Sequence, residues 1–515
     1  MSEALDARYR AEGYWRGRTL GSLLRDWAQK YGMRTALVDA TTRMSYVELS
    51  ARADRMAAGL VKLGIQRGDR VVVQLPNIAD FVVLCFALFR VGAAPVLALP
   101  PHRLNEIRHL CQLSEAVAYV IPSRHAGFDY RSLASAVVAE VPSVRHVLVA
   151  GESLSDVDED PVALDEPDPG SVALYLLSGG TTGLPKLIPR THDDYAYNFR
   201  ASAEVCELGP ASVYLAALPV AHNFPLGCPG VFGTLHAGGT AVLASSPAPE
   251  VAFPLIHQEK VTITAVVPPL ALLWLDNATS LPSLRLLQVG GAKLQPEVAK
   301  RITPELGCAL QQVFGMAEGL LNYTRLDDPQ DLVLTTQGRP MSPADEIRIV
   351  DSSGDPVAPG ERGELLTRGP YTIRCYFRSE QPHSFTPDGF YRSGDLVRQL
   401  PSGHLVVEGR VKDLINRGGD KIACDEVENH LLGHPQVRDV AMVALPDRIL
   451  GERSCAVVVP RDGAPSLASL KKLLIAQGLA TYKLPDQLVV VDALPLTNVG
   501  KVDKQRLAAQ LKGER

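Results

Sequence analysis

Short, nearly unbroken apolar runs recur through the first 300 residues, and they limit what this chain can fold into. RVVVQL (70–75), PVLAL (95–99), TAVLA (240–244), ITAVV (263–267) and LRLLQV (284–289) are divided by longer stretches such as FVVLCFALFRV (81–91). A strand that is apolar at every position is buried on both faces, which calls for parallel sheets covered by helices. The expected fold class is therefore α/β, with layered sheets. From Glu346 the texture changes: EIRIVD-SSGD-PVAPGERGELLTR reads as a hairpin with a glycine turn and a further strand, an antiparallel β subdomain. Beyond Arg410 a smaller α+β section of domain size follows, with helices expected at 425–432 and 466–478 and strands at 437–444, 454–459 and 487–491. We set the domains at 1–410 and 411–515.

Composition excludes several function classes. A formal charge of -5 with 21% charged residues gives no electrostatic case for nucleic acid or an anionic membrane. The eight cysteines include no C-x-x-C pair and read as small buried apolar residues of a reducing compartment. The N-terminus, MSEALDARYRAEGYWRGR, lacks the apolar core of a secretory signal. Residues 80–99 approach membrane-spanning length, but Arg90, Gly92 and Pro95 favour a buried helix followed by a buried strand. A soluble, cytoplasmic monomer is expected.

SGGTTGLPK, Ser178–Lys186, follows the apolar run VALYLL and has the composition of a phosphate cradle. It is not a Walker A loop. Pro185 separates the last glycine from Lys186, and Leu187 stands where a metal-binding hydroxyl would be needed. VGGAK (289–293) and QQVFGMAEG (311–319) are both expected at strand ends, where open α/β sheets bind ligands. YRSGDL (391–396), GRVKDLINRGGDKI (409–422) and PLTNVGKVDK (495–504) complete the series.

In this order, over nearly the whole chain, these stretches resemble the adenylate-forming superfamily, which includes acyl- and aryl-CoA synthetases, peptide-synthetase adenylation domains and luciferases. The resemblance implies that ATP is bound for adenylyl transfer. By motif, Ser178, Gly179, Gly180, Thr181, Thr182, Gly183 and Lys186 would form the phosphate loop. Gly291 and Phe314 would sandwich adenine, with Gln312, Val313 and Gly315 nearby. Glu318 would bind Mg²⁺, and Asp395 and Arg410 would hold the ribose. Lys501 would bridge the acid's carboxylate and the α-phosphate, and Lys412 would be the hinge of a mobile C-terminal domain. Phe314 and Ala317 depart from the Tyr and Thr of many relatives, so one phosphate-facing hydroxyl is missing.

Those departures, with Tyr14-Trp15, IPRTHDDY (188–195) and HNFPLGCPG (222–230), resemble the stand-alone aryl-acid adenylating enzymes of siderophore-type pathways. That branch implies an acid pocket of His222, Asn223, Phe224, Cys228, Gly290 and Leu321, with Asn223 on the 2-hydroxyl. Cys228 and Leu321 replace the serine and valine of dihydroxybenzoate enzymes, and a thiol is a weak hydrogen-bond partner for a 3-hydroxyl. Salicylate is favoured; 2,3-dihydroxybenzoate and 3-hydroxypicolinate stay open. The expected acceptor is the phosphopantetheine thiol of a separate aryl carrier protein, with coenzyme A as the alternative. A non-catalytic aryl-adenylate-binding protein is the remote alternative, against which Lys186, Glu318, Asp395 and Lys501 argue.

Overall fold

The computed structural model describes residues 2–178, 184–378, 384–410, 414–417, 420–447, 450–477, 479, 481–497 and 500–513. The apolar runs become the centres of two sheets. One has nine strands in the order Arg339–Pro340, Gly319–Tyr323, Ala309–Met316, Leu286–Gly290, Ile263–Val266, Val213–Ala216, Thr240–Leu243, Thr35–Val38, Arg43–Ser45. It is parallel from Ala309–Met316 to Thr35–Val38, and antiparallel only at its two ends. The other has six strands: Leu187–Thr191, Val172–Leu177, Ala94–Leu97, Arg70–Val73, Ala118–Pro122 and His146–Ala150. Its one antiparallel member is the edge strand Leu187–Thr191. That edge tolerates Pro189, which has no N–H to give a further neighbour.

Helix Ala79–Val91 accounts for the segment of near-membrane length. Every residue from Phe81 to Val91 is buried, and the helix stops at Gly92 in the left-handed region, φ 80°. Arg90 is buried with its guanidinium on Asp54, 2.8 Å away, and on the Ser50 hydroxyl. Among the described residues no helix is long and apolar enough to cross a membrane.

The β subdomain is a four-stranded antiparallel sheet, Glu346–Val350, Arg362–Arg368, Tyr391–Gln399 and Leu405–Arg410. Its register sets Asp395 directly across from Arg410. Past Arg410 comes a separate sheet of five strands, with helices Cys424–Leu431, Leu467–Ala476 and Lys504–Gly513 and its own apolar clusters.

One expectation is corrected. QQVFGMAEG does not begin at a strand end: the strand runs Ala309–Met316 and turns at Ala317–Glu318 into Gly319–Tyr323. Two glutamines inside a strand suggest a loop, yet both are buried here because their amides are paired. Gln311 accepts from Gln288 Nε2 at 3.0 Å and donates to Thr324 O; Gln312 accepts from Gln337 Nε2 and donates to Val333 O at 2.6 Å.

The helix His192–Val205 starts directly from the edge strand through a capping box. Thr191 Oγ1 accepts from Asp194 N, while Asp194 Oδ2 accepts from Thr191 N at 2.7 Å. Asp194 Oδ1 also accepts from the fully buried Arg190 at 2.8 Å. Removing one partner of a buried pair costs about 3–5 kcal/mol. Arg190→Ala should therefore lower the urea midpoint clearly, and Asp194→Ala in the same chain should restore part of the loss; a native midpoint for Arg190→Ala would exclude this role.

Candidate active site

Four groups of residues from distant parts of the chain meet at the C-terminal edge of the nine-stranded sheet. The first is the glycine pair that ends strand Leu286–Gly290. A β-carbon on Gly290 would lie 2.7 Å from Val313 O and 3.0 Å from two carbons of the Phe224 ring, so only glycine lets the ring and the neighbouring strand close this tightly. Gly291 has φ +82°, and a β-carbon there would sit 3.6 Å from Lys501 Cε.

Lys501 arrives on a turn from the far end of the chain. Gly500, φ +79°, donates to Thr497 O, and Thr497 N donates to Lys501 O at 2.6 Å. The turn rests on Val267, which approaches both Gly291 and Gly500. Burial pushes the Lys501 ammonium pKa below its usual value; Asp395 and Glu318 pull it back up, and Arg410 lowers it further. The lysine thus feels the charges of Asp395, Glu318 and Arg410. Asp395 itself is held by Arg410 Nε at 3.0 Å, and Arg410 also donates to Ser393 O.

Glu318 occupies the turn between the two strands and is buried. Tyr376 donates to its Oε1 at 2.8 Å and meets the Tyr391 hydroxyl at 3.0 Å. The same ring has Lys186 Nζ above it, 4.6 Å from the centroid, a cation–π contact. Tyr376 thus joins Lys186 to the candidate metal ligand. Ser178 and Lys186 close the base of that loop through Ser178 N to Lys186 O and Lys186 N to Ser178 Oγ, both at 3.0 Å. Gly179, Gly180, Thr181, Thr182, Gly183 and Lys412 lie outside the described residues.

The fourth group surrounds HNFPLGCPG. His222 caps the short helix Asn223–Gly227, its Nδ1 accepting from Phe224 N. Burial, with Lys501 nearby, lowers the imidazole to about 4, so His222 is neutral at pH 7. Asn223 donates to Cys228 Sγ at 3.4 Å and accepts from the Tyr195 hydroxyl at 2.9 Å. The Cys228 thiol is buried, which pushes its pKa up to about 12. Leu321 is buried on the next strand, packed so closely on Gly315 that a β-carbon there would lie 2.4 Å from its Cδ2.

Phe314 is half-exposed and packs on the β subdomain beside Leu320 and Val397, while Val313 pairs with both Gly290 and Tyr323. The Gln312 side chain spends its amide on Val333 and Gln337, so it supports the strand from behind. Four residues of the candidate site were given no role by the sequence: Tyr376, Tyr195, Arg190 and Val267.

Residues 24–377 match the AMP-binding enzyme family, and residues 426–501 match the AMP-binding enzyme C-terminal domain. The chain belongs to this family of adenylate-forming ligases. It is similar to the 2,3-dihydroxybenzoate-AMP ligase of Bacillus subtilis (strain 168), 57% identical over 98% of this chain and 96% of that one. It is also similar to the salicyl-AMP ligase / salicyl-S-ArCP synthetase of Mycobacterium tuberculosis, 51% identical over 98% of this chain and 93% of that one. Among solved structures, the apo structure of Mycobacterium smegmatis MbtA is 52% identical, covers 98% of this chain and 97% of its own, and superposes with a TM-score of 0.77.

An adenylate-forming ligase uses ATP, and the placement of Lys501 suggests where the charge of the reaction is met. Lys501→Ala should cut acid-dependent ATP–pyrophosphate exchange by about a hundredfold or more. Thiol acylation from supplied aryl-adenylate should largely survive, since a different half-reaction is measured. Equal loss of both would remove Lys501 from the first step.

Proposed function

We propose that the protein activates a hydroxy-aryl acid, salicylate first, to the aryl-adenylate with release of pyrophosphate, and then passes the aryl group to the phosphopantetheine thiol of a separate aryl carrier protein. The observation that carries this reading is Lys501 set against Gly291, within electrostatic reach of Asp395, Arg410 and Glu318 and of His222 before the Asn223–Cys228 segment. Adenylation sets one anion, the carboxylate, on another, the α-phosphate. The lysine ammonium would draw both into register and offset the charge that grows on the phosphoryl oxygens.

In this reading Ser178, Lys186 and the intervening glycines and threonines hold the β- and γ-phosphates. Gly291 and Phe314 flank the adenine beside Val313 and Gly315, with Gln312 behind, and the Asp395–Arg410 pair meets the ribose. His222, Phe224 and Gly290 wall the aryl ring. Lys412 serves as the hinge between the halves 1–410 and 411–515.

The residues suit Mg²⁺. This ion takes one or two protein carboxylates and fills its shell with phosphate oxygens and water. Glu318 gives one buried carboxylate of which Tyr376 engages only Oε1, and the described residues hold no cluster of three acidic, His or Cys ligands that would make an all-protein cage. Bound there, the ion would neutralise phosphate charge. Chelation by EDTA should abolish exchange and added Mg²⁺ should restore it.

The choice of acid rests on Cys228 and Leu321. At neutral pH a thiol whose pKa is pushed up to about 12 stays protonated, and it is a poor partner for a buried 3-hydroxyl. Leaving that hydroxyl unpaired costs about 1–3 kcal/mol. Dihydroxybenzoate is the second reading, because the 57% identical relative is named for it. ATP–pyrophosphate exchange across an aryl-acid panel decides between them, and exchange with no acid would overturn both. Cys228→Ser should raise kcat/KM for 2,3-dihydroxybenzoate relative to salicylate by a few- to about tenfold, one neutral hydrogen bond, and adding Leu321→Val should raise it further. A serine variant that moves toward salicylate would overturn the pocket assignment.

A further inference from the structure

The Tyr195 side chain is completely buried, and among the described residues its hydroxyl has one hydrogen-bond partner, Asn223 Oδ1 at 2.9 Å. A buried hydroxyl proton with no acceptor is costly, so this proton must go to Asn223. That fixes which end of the amide faces the tyrosine. The carbonyl oxygen turns toward Tyr195, and Nδ2, a pure donor with two hydrogens, turns toward Cys228.

The tyrosine is itself held. Its ring carries the Arg190 guanidinium 5.0 Å from the centroid. Gly227 passes so close that a β-carbon there would lie 2.7 Å from the tyrosine oxygen and 3.3 Å from Asn198 Nδ2. Asn198 Nδ2 donates to Gly227 O at 2.6 Å, pinning the loop that carries Asn223 and Cys228. The tyrosine hydroxyl is thereby held beside the Asn223 amide.

The geometry points to Tyr195 as a positioning residue that locks Asn223 with its N–H toward the substrate, so that the site takes an acid bearing a hydrogen-bond acceptor ortho to its carboxylate and disfavours one bearing a donor. This rests on the aryl-acid reading above. In salicylate the phenolic proton bonds the neighbouring carboxylate, and the phenolic oxygen remains free to accept from Asn223 Nδ2. In 2-aminobenzoate one N–H bonds the carboxylate, and the other meets Nδ2–H head on, while the nitrogen lone pair is delocalised into the ring. Two acids of nearly the same shape are thereby told apart by hydrogen-bond polarity.

The test is ATP–pyrophosphate exchange by the full-length enzyme with salicylate, 2-aminobenzoate and benzoate. The wild type should prefer salicylate to 2-aminobenzoate by about tenfold or more. Tyr195→Phe should bring the two within about threefold, because the amide can then present its oxygen. Benzoate, which has no ortho group, and the KM for ATP should be unchanged. Asn223→Asp with Tyr195 retained turns an acceptor toward the acid and should reverse the order in favour of 2-aminobenzoate. An unchanged ratio in Tyr195→Phe, or an equal loss for all three acids, overturns the proposal. Should Tyr195→Phe not fold, a retained salicylate preference in Asn223→Asp overturns it. A wild type that uses no hydroxy-aryl acid fails the underlying reading instead, and the proposal falls with it.

Discussion

The buried pair of Arg190 and Asp194 is the interaction on which the arrangement of the site depends. Arg190 lies on the edge strand Leu187–Thr191, and Asp194 in the first turn of the helix that follows. Besides Asp194, the guanidinium donates to Ala317 O and reaches Asn198 Oδ1 at 3.4 Å. Ala317 precedes the carboxylate Glu318, and Asn198 holds the loop of Asn223 and Cys228. One planar cation therefore spaces the candidate metal ligand from the candidate acid pocket. Such a pair adds little net stability, since desolvation offsets most of the attraction. Its value lies in direction: five N–H groups in a rigid fork can be satisfied together in few arrangements.

The α/β architecture was legible because strands buried on both faces leave continuous apolar runs, as at Arg70–Val73, Ala94–Leu97 and Ile263–Val266. The antiparallel sheet was legible from the turn at Asp351–Gly354, where Asp351 Oδ1 accepts from Ser353 N and Asp355 N. The strand Ala309–Met316 was misread. Its glutamines are satisfied by Gln288, Thr324, Gln337 and Val333, partners that no local window contains. Polar residues in a strand reveal nothing about burial until their partners are known.

The site divided in the same way. Residues that a motif carries in order, such as Gly291, Glu318, Asp395 and Lys501, could be named from the chain alone. Residues that act through tertiary partners could not. Tyr376 stands 58 positions from Glu318, and Tyr195 stands 28 from Asn223. Tyrosines are common in cores, and nothing in the adjoining residues distinguishes one that aims a carboxylate or an amide from one that only fills space.

Lys501 lies against Gly291, and Gly500 before it lies close to Val267. Seating it strips water from an ammonium, and Asp395 and Glu318 offset only part of that cost. The offset grows when a nucleotide's phosphates and a carboxylate are already in place. Under the proposed function, bound phosphates and a carboxylate would weight this placement of Lys501, and departure of pyrophosphate, which removes negative charge, would loosen it. The proposed two-step reaction would gain from this a timer that needs no separate sensor, because the charge lost in the first half would be what held the lysine in place.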